Sequence, residues 1–172
     1  MISDGMIPTL ETDRLILRGP ADNDFPVYRG FYADADASAF YGGPLSADRA
    51  WRALATDVGH WALRGYGRWA VTLRSTGEMV GSCGFWWPEG WPRSELTWWI
   101  VASERRKGYA REASRAAIQF GYDVLKWPLV ETHMHDDNTA ARKLVEALGG
   151  KKIARELFPD GVERDVYQIP RD

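Results

Sequence analysis

The stretch from Glu95 to Leu125, ELTWWIVASERRKGYAREASRAAIQFGYDVL, limits what the chain can fold into more than any other. It opens as a strand: Leu96, Trp98 and Ile100 can line one face, and Glu95, Thr97, Trp99 and Val101 the other. The apolar run stops at Ala102-Ser103. Arg105-Arg106-Lys107 then lead into Gly108-Tyr109-Ala110. Beyond them Ala110, Ala113, Ala117, Phe120 and Val124 recur at helical spacing, and Pro128 stops the helix soon after Lys126-Trp127. A helix start carries unpaired N–H groups and a partial positive charge. Gly108 lets a ligand approach the backbone closely, and three cations stand beside it, a combination suited to phosphate groups. A solvated basic loop with an ordinary glycine has the same composition, so the loop alone leaves both readings open.

At 172 residues, one domain over 1–172 with its own core is expected. Hydrophobic residues at 45% and charged residues at 27% fit a soluble globular chain. A net charge of -2 gives no reason to expect nucleic acid as a partner. Cys83 is the only cysteine, which excludes an internal disulfide and accords with a reducing compartment. MISDGMIPTLETD has neither a basic nor an apolar signal region, and no apolar run approaches the ~20 residues of a membrane span. A cytoplasmic protein without membrane contact is expected. Of nine tryptophans, seven lie between Trp69 and Trp127, which places the core or a cleft in the middle of the chain.

Taken in order, Thr12–Arg18 reads as a strand ended by Gly19-Pro20, and Asp22 or Asp24 as the cap of a helix carrying Phe25, Tyr28 and Phe31. After the break Tyr41-Gly42-Gly43-Pro44, Ser46 reads as an N-cap. Ala47, Ala50, Trp51, Leu54, Val58 and Trp61 form the stripe of the next helix. Trp69–Leu73 and Met79–Trp86 are strands; Gly81-Ser82-Cys83-Gly84 implies close approach by another backbone or a ligand. The segment 129–135 alternates like a strand. Asp136-Asp137-Asn138 precede a helix with Ala141, Leu144, Val145 and Leu148 buried, ended by Gly149-Gly150, and residues 153–169 form a hairpin around Pro159-Asp160-Gly161.

Three of these segments resemble one family. R-x-x-G-x-A (Arg105, Gly108, Ala110) looks like the acyl-CoA pyrophosphate loop of the GNAT N-acetyltransferases. T-x-R-L-x-L-R (Thr12 to Arg18) is similar to the opening strand of the branch containing the ribosomal-protein N-terminal acetyltransferases. Glu95-Leu96-Thr97-Trp98-Trp99-Ile100 resembles the family's E-x-G-x-W-[IL], with Thr97 in place of glycine. The element order over residues 12–169 agrees. The resemblance implies an α/β (α+β) GNAT fold with a mixed, mostly antiparallel sheet of about six to seven strands and about four helices. It also implies an acyltransferase that uses acetyl-CoA as co-substrate. The acceptor is a primary amine, either a protein N-terminus or a small molecule, and the enzyme a monomer or homodimer.

Acetylating an amine from a thioester requires a neutral amine, stabilisation of the developing oxyanion, and departure of a thiolate. Direct attack through a tetrahedral intermediate needs neither a metal nor a covalent enzyme. Glu95 is the candidate base, with a pKa expected to rise among tryptophans, or else the residue that holds the ammonium. The resemblance assigns Ile100 and Val101 to the pantetheine, and Arg105, Arg106, Lys107, Gly108, Tyr109 and Ala110 to the phosphates. Asn138, otherwise a simple N-cap, falls to the pantetheine arm, and Arg142, otherwise a solvated arginine, to the phosphate or adenosine side. Trp87, Trp91 and Trp99, together with Trp86, are candidates to line the acceptor cleft, with core packing as the alternative; the Tyr41–Pro44 region overhangs that site in the family. Val145 stands where many members carry a tyrosine that protonates the thiolate. That loss opens a second reading, a catalytically silent acyl-CoA sensor. His133-x-His135 and His60 read as structural, and Cys83 as buried packing, because none has the partners that a metal site or a nucleophile needs. No P-loop signature is present.

Overall fold

In the computed structural model, residues 7–171 are described; the first six residues of the stretch searched for a signal peptide lie outside them. Where the sequence predicts one strand over 12–18, two form: β1 (Leu10–Glu11) and β2 (Leu15–Arg18). Thr12 makes the reversal between them. Its N–H donates to Leu15 O (3.0 Å), and its Oγ1 accepts from Leu15 N–H (3.0 Å). A 3-10 turn at Asp22–Asp24 leads into α1 (Phe25–Ala33), with Pro26 in the first turn, where its missing N–H costs nothing. Asp24 works backward rather than capping the helix: it accepts the Ala21 N–H (2.8 Å) and pairs with Arg18 Nη2 (2.7 Å).

The next helix, α2 (Ala47–Arg64), starts at Ser46, but the Ser46 hydroxyl donates to Asp48 (2.6 Å) and caps no amide. Ala50, Leu54 and Trp61 form its buried stripe; Ala47 and Trp51, expected there, are exposed. Then come β3 (Arg68–Leu73), β4 (Met79–Trp86) and β5 (Glu95–Ile100). A 3-10 turn at Ala102–Glu104 precedes α3 (Tyr109–Asp123), and β6 (Val130–Met134), α4 (Thr139–Ala147), β7 (Lys151–Leu157) and β8 (Glu163–Ile169) complete the chain. α3 buries Ala113, Ser114, Ala117, Ile118, Phe120 and Gly121; Val124, expected on this face, lies past the helix end and is exposed.

The strands divide into two antiparallel sheets, β1-β2-β3-β4-β5 and β6-β8-β7. The glycines of β4 answer the expectation of a close approach. A Cβ on Gly81 would meet Trp99 O at 2.1 Å, and one on Gly84 would meet Gly67 O at 2.3 Å, so neighbouring backbones are the cause. One apolar cluster joins β2–β6 and β8 to α3, α4 and Trp61. A second packs α1 and α2 on Ala70, Met79 and Trp99. Cys83 is buried beside Ser114 (3.8 Å), and burial pushes its thiol up to about 12, as expected of packing rather than a nucleophile. Among the described residues no helix is long and apolar enough to cross a membrane.

The two sheets meet at β5 and β6 without a ladder between them. The Thr132 hydroxyl crosses the gap and donates to Leu96 O (2.7 Å).

Candidate active site

The open edge of β5 follows from strand alternation. Val101 N–H donates to Val80 O (2.9 Å), on the β4 side, so the main-chain groups of Leu96, Trp98 and Ile100 turn toward the gap. Three different groups take their carbonyls: Thr132 Oγ1 on Leu96, the Tyr41 hydroxyl on Trp98, and Arg105 Nε on Ile100 (3.0 Å). The N–H groups of Trp98 and Ile100 remain directed into the gap. Of the pair expected to present backbone groups here, Ile100 does so, whereas Val101 has its N–H in the sheet.

At the end of β5 the chain turns through Arg106 (φ 63°) and Gly108 (φ 85°) into α3. Both residues sit in the left-handed region. Among the described residues, no acceptor is recorded for the N–H groups of residues 106 through 111; the first helical bond is Glu112 N–H to Gly108 O (3.1 Å). This row of donors, with Tyr109 and Ala110 in the first helical turn, is the arrangement that binds an anion. Arg105 points elsewhere, binding Ile100 O and Ala37 O (3.2 Å); Lys107 pairs with Glu104 (2.8 Å). From the start of the chain Arg14 locks the loop, donating to Lys107 O (2.8 Å) and Glu112 (2.7 Å).

A cavity of 510 Å³ opens at the other end of β5. Glu95, Thr97 and Trp98 face it from β5, Thr132, His133, Met134 and His135 from around β6, and Tyr32, Tyr41, Arg68, Trp86, Trp91, Asn138 and Arg164 from the surroundings. Arg68 is held by Asp57 (Nε to Oδ1, 2.7 Å), which also accepts the Tyr28 hydroxyl (2.7 Å), and lies over the Trp86 ring. Burial lifts the Asp57 carboxyl above its usual range, and Arg68 and Tyr28 pull it back. Arg164 is fastened to Asp160, stands 3.3 Å from His135 Nε2, and lies over Trp91 and Phe158. Burial, then Arg164, holds the His135 imidazole below its usual pKa. Glu95 Oε2 lies 3.2 Å from His133 Nε2.

The tryptophans sort differently from expectation. Trp91 lines the cavity, stacked against His133. Trp99 does not: it is 1% exposed, stacked on Phe31 (4.2 Å) with Tyr28 edge-on. Alternation keeps it on the face of Glu95 and Thr97, but α1 covers it there, and Trp98, from the opposite face, lines the cavity. Trp87 lies outside the cavity, its indole N–H on Trp91 O (2.9 Å) and its backbone N–H on His60 Nε2 (3.0 Å). Asn138 Oδ1 caps α4 by accepting Ala141 N–H (3.1 Å) while the residue lines the cavity; Arg142 Nη2 donates to Asp136 O (3.0 Å). Val145 is fully buried and offers no hydroxyl. The sequence reading missed Tyr32, Arg68, Trp98 and Arg164 as cavity residues and left His133 as structural. For Trp98 the period-2 pattern pointed to the face opposite Glu95; the others come from distant elements with no local pattern.

A family model described as an acetyltransferase (GNAT) domain matches residues 14–151. The chain belongs to the GNAT acetyltransferases, and it is an acyltransferase by that membership. A crystal structure of the acetyltransferase from Agrobacterium tumefaciens str. C58 superposes with a TM-score of 0.87 at 32% identity, covering 95% of each chain. The uncharacterized N-acetyltransferase YoaA of Bacillus subtilis (strain 168) is 27% identical over 97% of this chain and 100% of its own. RimL, a ribosomal L7/L12 alpha-N-protein acetyltransferase solved in complex with coenzyme A, shares the fold at 14% identity, with a TM-score of 0.76, covering 96% of this chain and 100% of its own.

Proposed function

We propose that the chain transfers an acetyl group from acetyl-CoA to a primary amine by direct attack, without a covalent enzyme intermediate or a metal. The observation that carries this reading is the coupling of two sites along β5. The amides of residues 106–111, without a partner among the described residues, lie past one end, and a cavity holding Glu95 lies at the other. The five steps from Glu95 to Ile100 span ~17 Å at the rise of a strand, which suits a donor whose phosphates and thioester are far apart. The loop amides, with Arg106 and Lys107, hold the phosphates. The edge N–H groups of Trp98 and Ile100 hold the arm, joined by the Asn138 side-chain amide, and Arg142 sits on the phosphate side. Bound there, acetyl-CoA supplies an activated acyl group; the protein's task is to orient the amine and hold its proton. A lysine ammonium has a pKa of ~10.4 and a chain terminus ~8, so Glu95 must take or hold that charge. Trp86, Trp91 and Trp98 form a wall for the amine's substituent. The acceptor is a protein N-terminus or a small molecule; the opening T-x-R-L-x-L-R and the RimL fold support the ribosomal-protein branch. We place the enzyme in the cytoplasm, as a monomer or homodimer.

Calorimetry with acetyl-CoA tests the donor site: micromolar binding by the native protein, lost in Gly108→Glu, is expected. A screen of primary amines for CoA release tests turnover, and Glu95→Gln should lower kcat by roughly 10²–10⁴. A loss below about threefold removes Glu95 from the chemistry. Val145, buried where a thiolate acid would stand, favours the sensor as a second reading; binding without turnover of any amine would select it.

A further inference from the structure

His133 is the anomaly of the cavity. Its side chain is 4% exposed, yet neither ring nitrogen has a hydrogen-bond partner among the described residues. Buried polar atoms are nearly always paired, and an imidazole left unpaired in a cavity wall is poised for something the cavity receives. The ring is held rather than loose: Trp91 lies parallel to it at 5.8 Å and 9°, and Phe158 packs at 4.0 Å. Nε2 comes within 3.2 Å of Glu95 Oε2 without the alignment of a hydrogen bond. The titratable and charged groups that line the cavity with His133 are Glu95 from β5, Tyr32 from α1, Tyr41 from the loop after it, Arg68 from β3, His135 from the end of β6, Asp160 from the β7–β8 turn and Arg164 from β8. Of these, Arg164 is tied to Asp160 and His135, and Arg93 in the preceding loop is turned to Glu131 and Glu156. Glu95 alone is in place to exchange a proton with Nε2.

We infer that His133 is the resting place of the proton lost by the acceptor amine, with Glu95 as the carboxylate that passes it on. This rests on the proposed amine acetylation. The step balances with no further reactant. The N–H bond of the ammonium breaks and leaves its electron pair on nitrogen, and the proton goes to a Glu95 oxygen. The Glu95 O–H bond then breaks as Nε2 of neutral His133 forms its own bond to the same proton. The imidazolium stays paired with the regenerated carboxylate and gives its proton to water when the products leave. The direction follows from basicity: an imidazole is a stronger base than a carboxylate and is better matched to taking up a proton near neutral pH.

Two measurements test this. Imidazole signals, assigned by comparison with His133→Gln, are followed by nuclear magnetic resonance as the pH is varied. The pH dependence of the His133 signals should differ between the native protein and Glu95→Gln, in which the paired carboxylate is gone. In parallel, CoA release is measured with the best primary amine from a panel of amino acids, short peptides and arylalkylamines. The acid limb of kcat/KM should coincide with the His133 midpoint. His133→Gln should remove that limb and lower kcat about 100-fold, with KM changed by less than about threefold. His133→Phe, which keeps the ring stack, should lose kcat equally, and an unchanged acetyl-CoA affinity in both variants excludes misfolding. An imidazole that stays neutral throughout, or a His133→Gln enzyme that retains its acid limb and kcat, overturns the inference while leaving the acetyltransferase reading intact. Failure of the native protein to release CoA with any amine overturns both.

Discussion

His60 shows how one buried side chain can serve the site without entering it. Its Nε2 accepts the Trp87 N–H (3.0 Å), which leaves Nδ1 to donate to Tyr66 O (2.7 Å), and the ring stacks on Trp86. One imidazole thereby fixes the end of α2, the loop after it, and the entry to the 87–94 loop that carries Trp91. Burial holds its pKa below the usual histidine value. Since the folded value is the lower one, the unfolded chain binds more protons in the interval below ~6.5. Stability is therefore full above that pH and declines as the pH falls through it toward the folded value; His135, also lowered, adds in the same direction. Thermal unfolding should show a lower Tm at pH 5.5 than at 7.5. His60→Gln should lower Tm at pH 7.5 and flatten the decline, and an equal decline in the variant would clear His60 of the effect.

The strand-loop-helix unit was the most legible element, because its signals are local: alternation over 95–101, then a cationic turn, then a 3.6-residue period. What the sequence concealed there was the contribution of Arg14, nearly a hundred positions away. Its guanidinium spans from Glu112 to the Lys107 carbonyl and lies over Tyr109 at 4.7 Å, while Thr12 donates to the same glutamate (2.6 Å). No periodicity can show a contact of that range. The consequence is that the left-handed loop is braced from outside. Arg14→Ala should weaken acetyl-CoA binding about five- to tenfold, roughly 1–1.4 kcal/mol, by loosening the loop of residues 106–111. Calorimetry of the variant checks it. An unchanged affinity would mean that Arg106 and Gly108 hold the loop by themselves.

At the level of the whole molecule, the class and order of elements could be read, but the parting of the sheets could not, since periodicity says nothing of which strands pair. The cavity exists only because β5 and β6 lie side by side without a ladder, and its walls come from positions as far apart as Tyr32 and Arg164. That leaves Thr132 with a particular burden. Its hydroxyl, buried, spans the gap to Leu96 O at 2.7 Å, one residue from Glu95 on one strand and one from His133 on the other. The bridge therefore sets the 3.2 Å approach of those two side chains. Thr132→Val keeps the shape and removes the donor, so the Leu96 carbonyl is left buried and unpaired, at a cost of about 1–3 kcal/mol. For a chain of this size that is a fall in Tm of about 2–4 °C for each kcal/mol. Because the spacing at Glu95 slackens too, kcat should fall about tenfold while acetyl-CoA affinity, set at the far end of β5, stays the same. Thr132→Ser restores the donor and should recover kcat even where the lost methyl group keeps Tm low. A Thr132→Val protein that loses Tm yet keeps kcat would show that the sheets hold their spacing through packing alone.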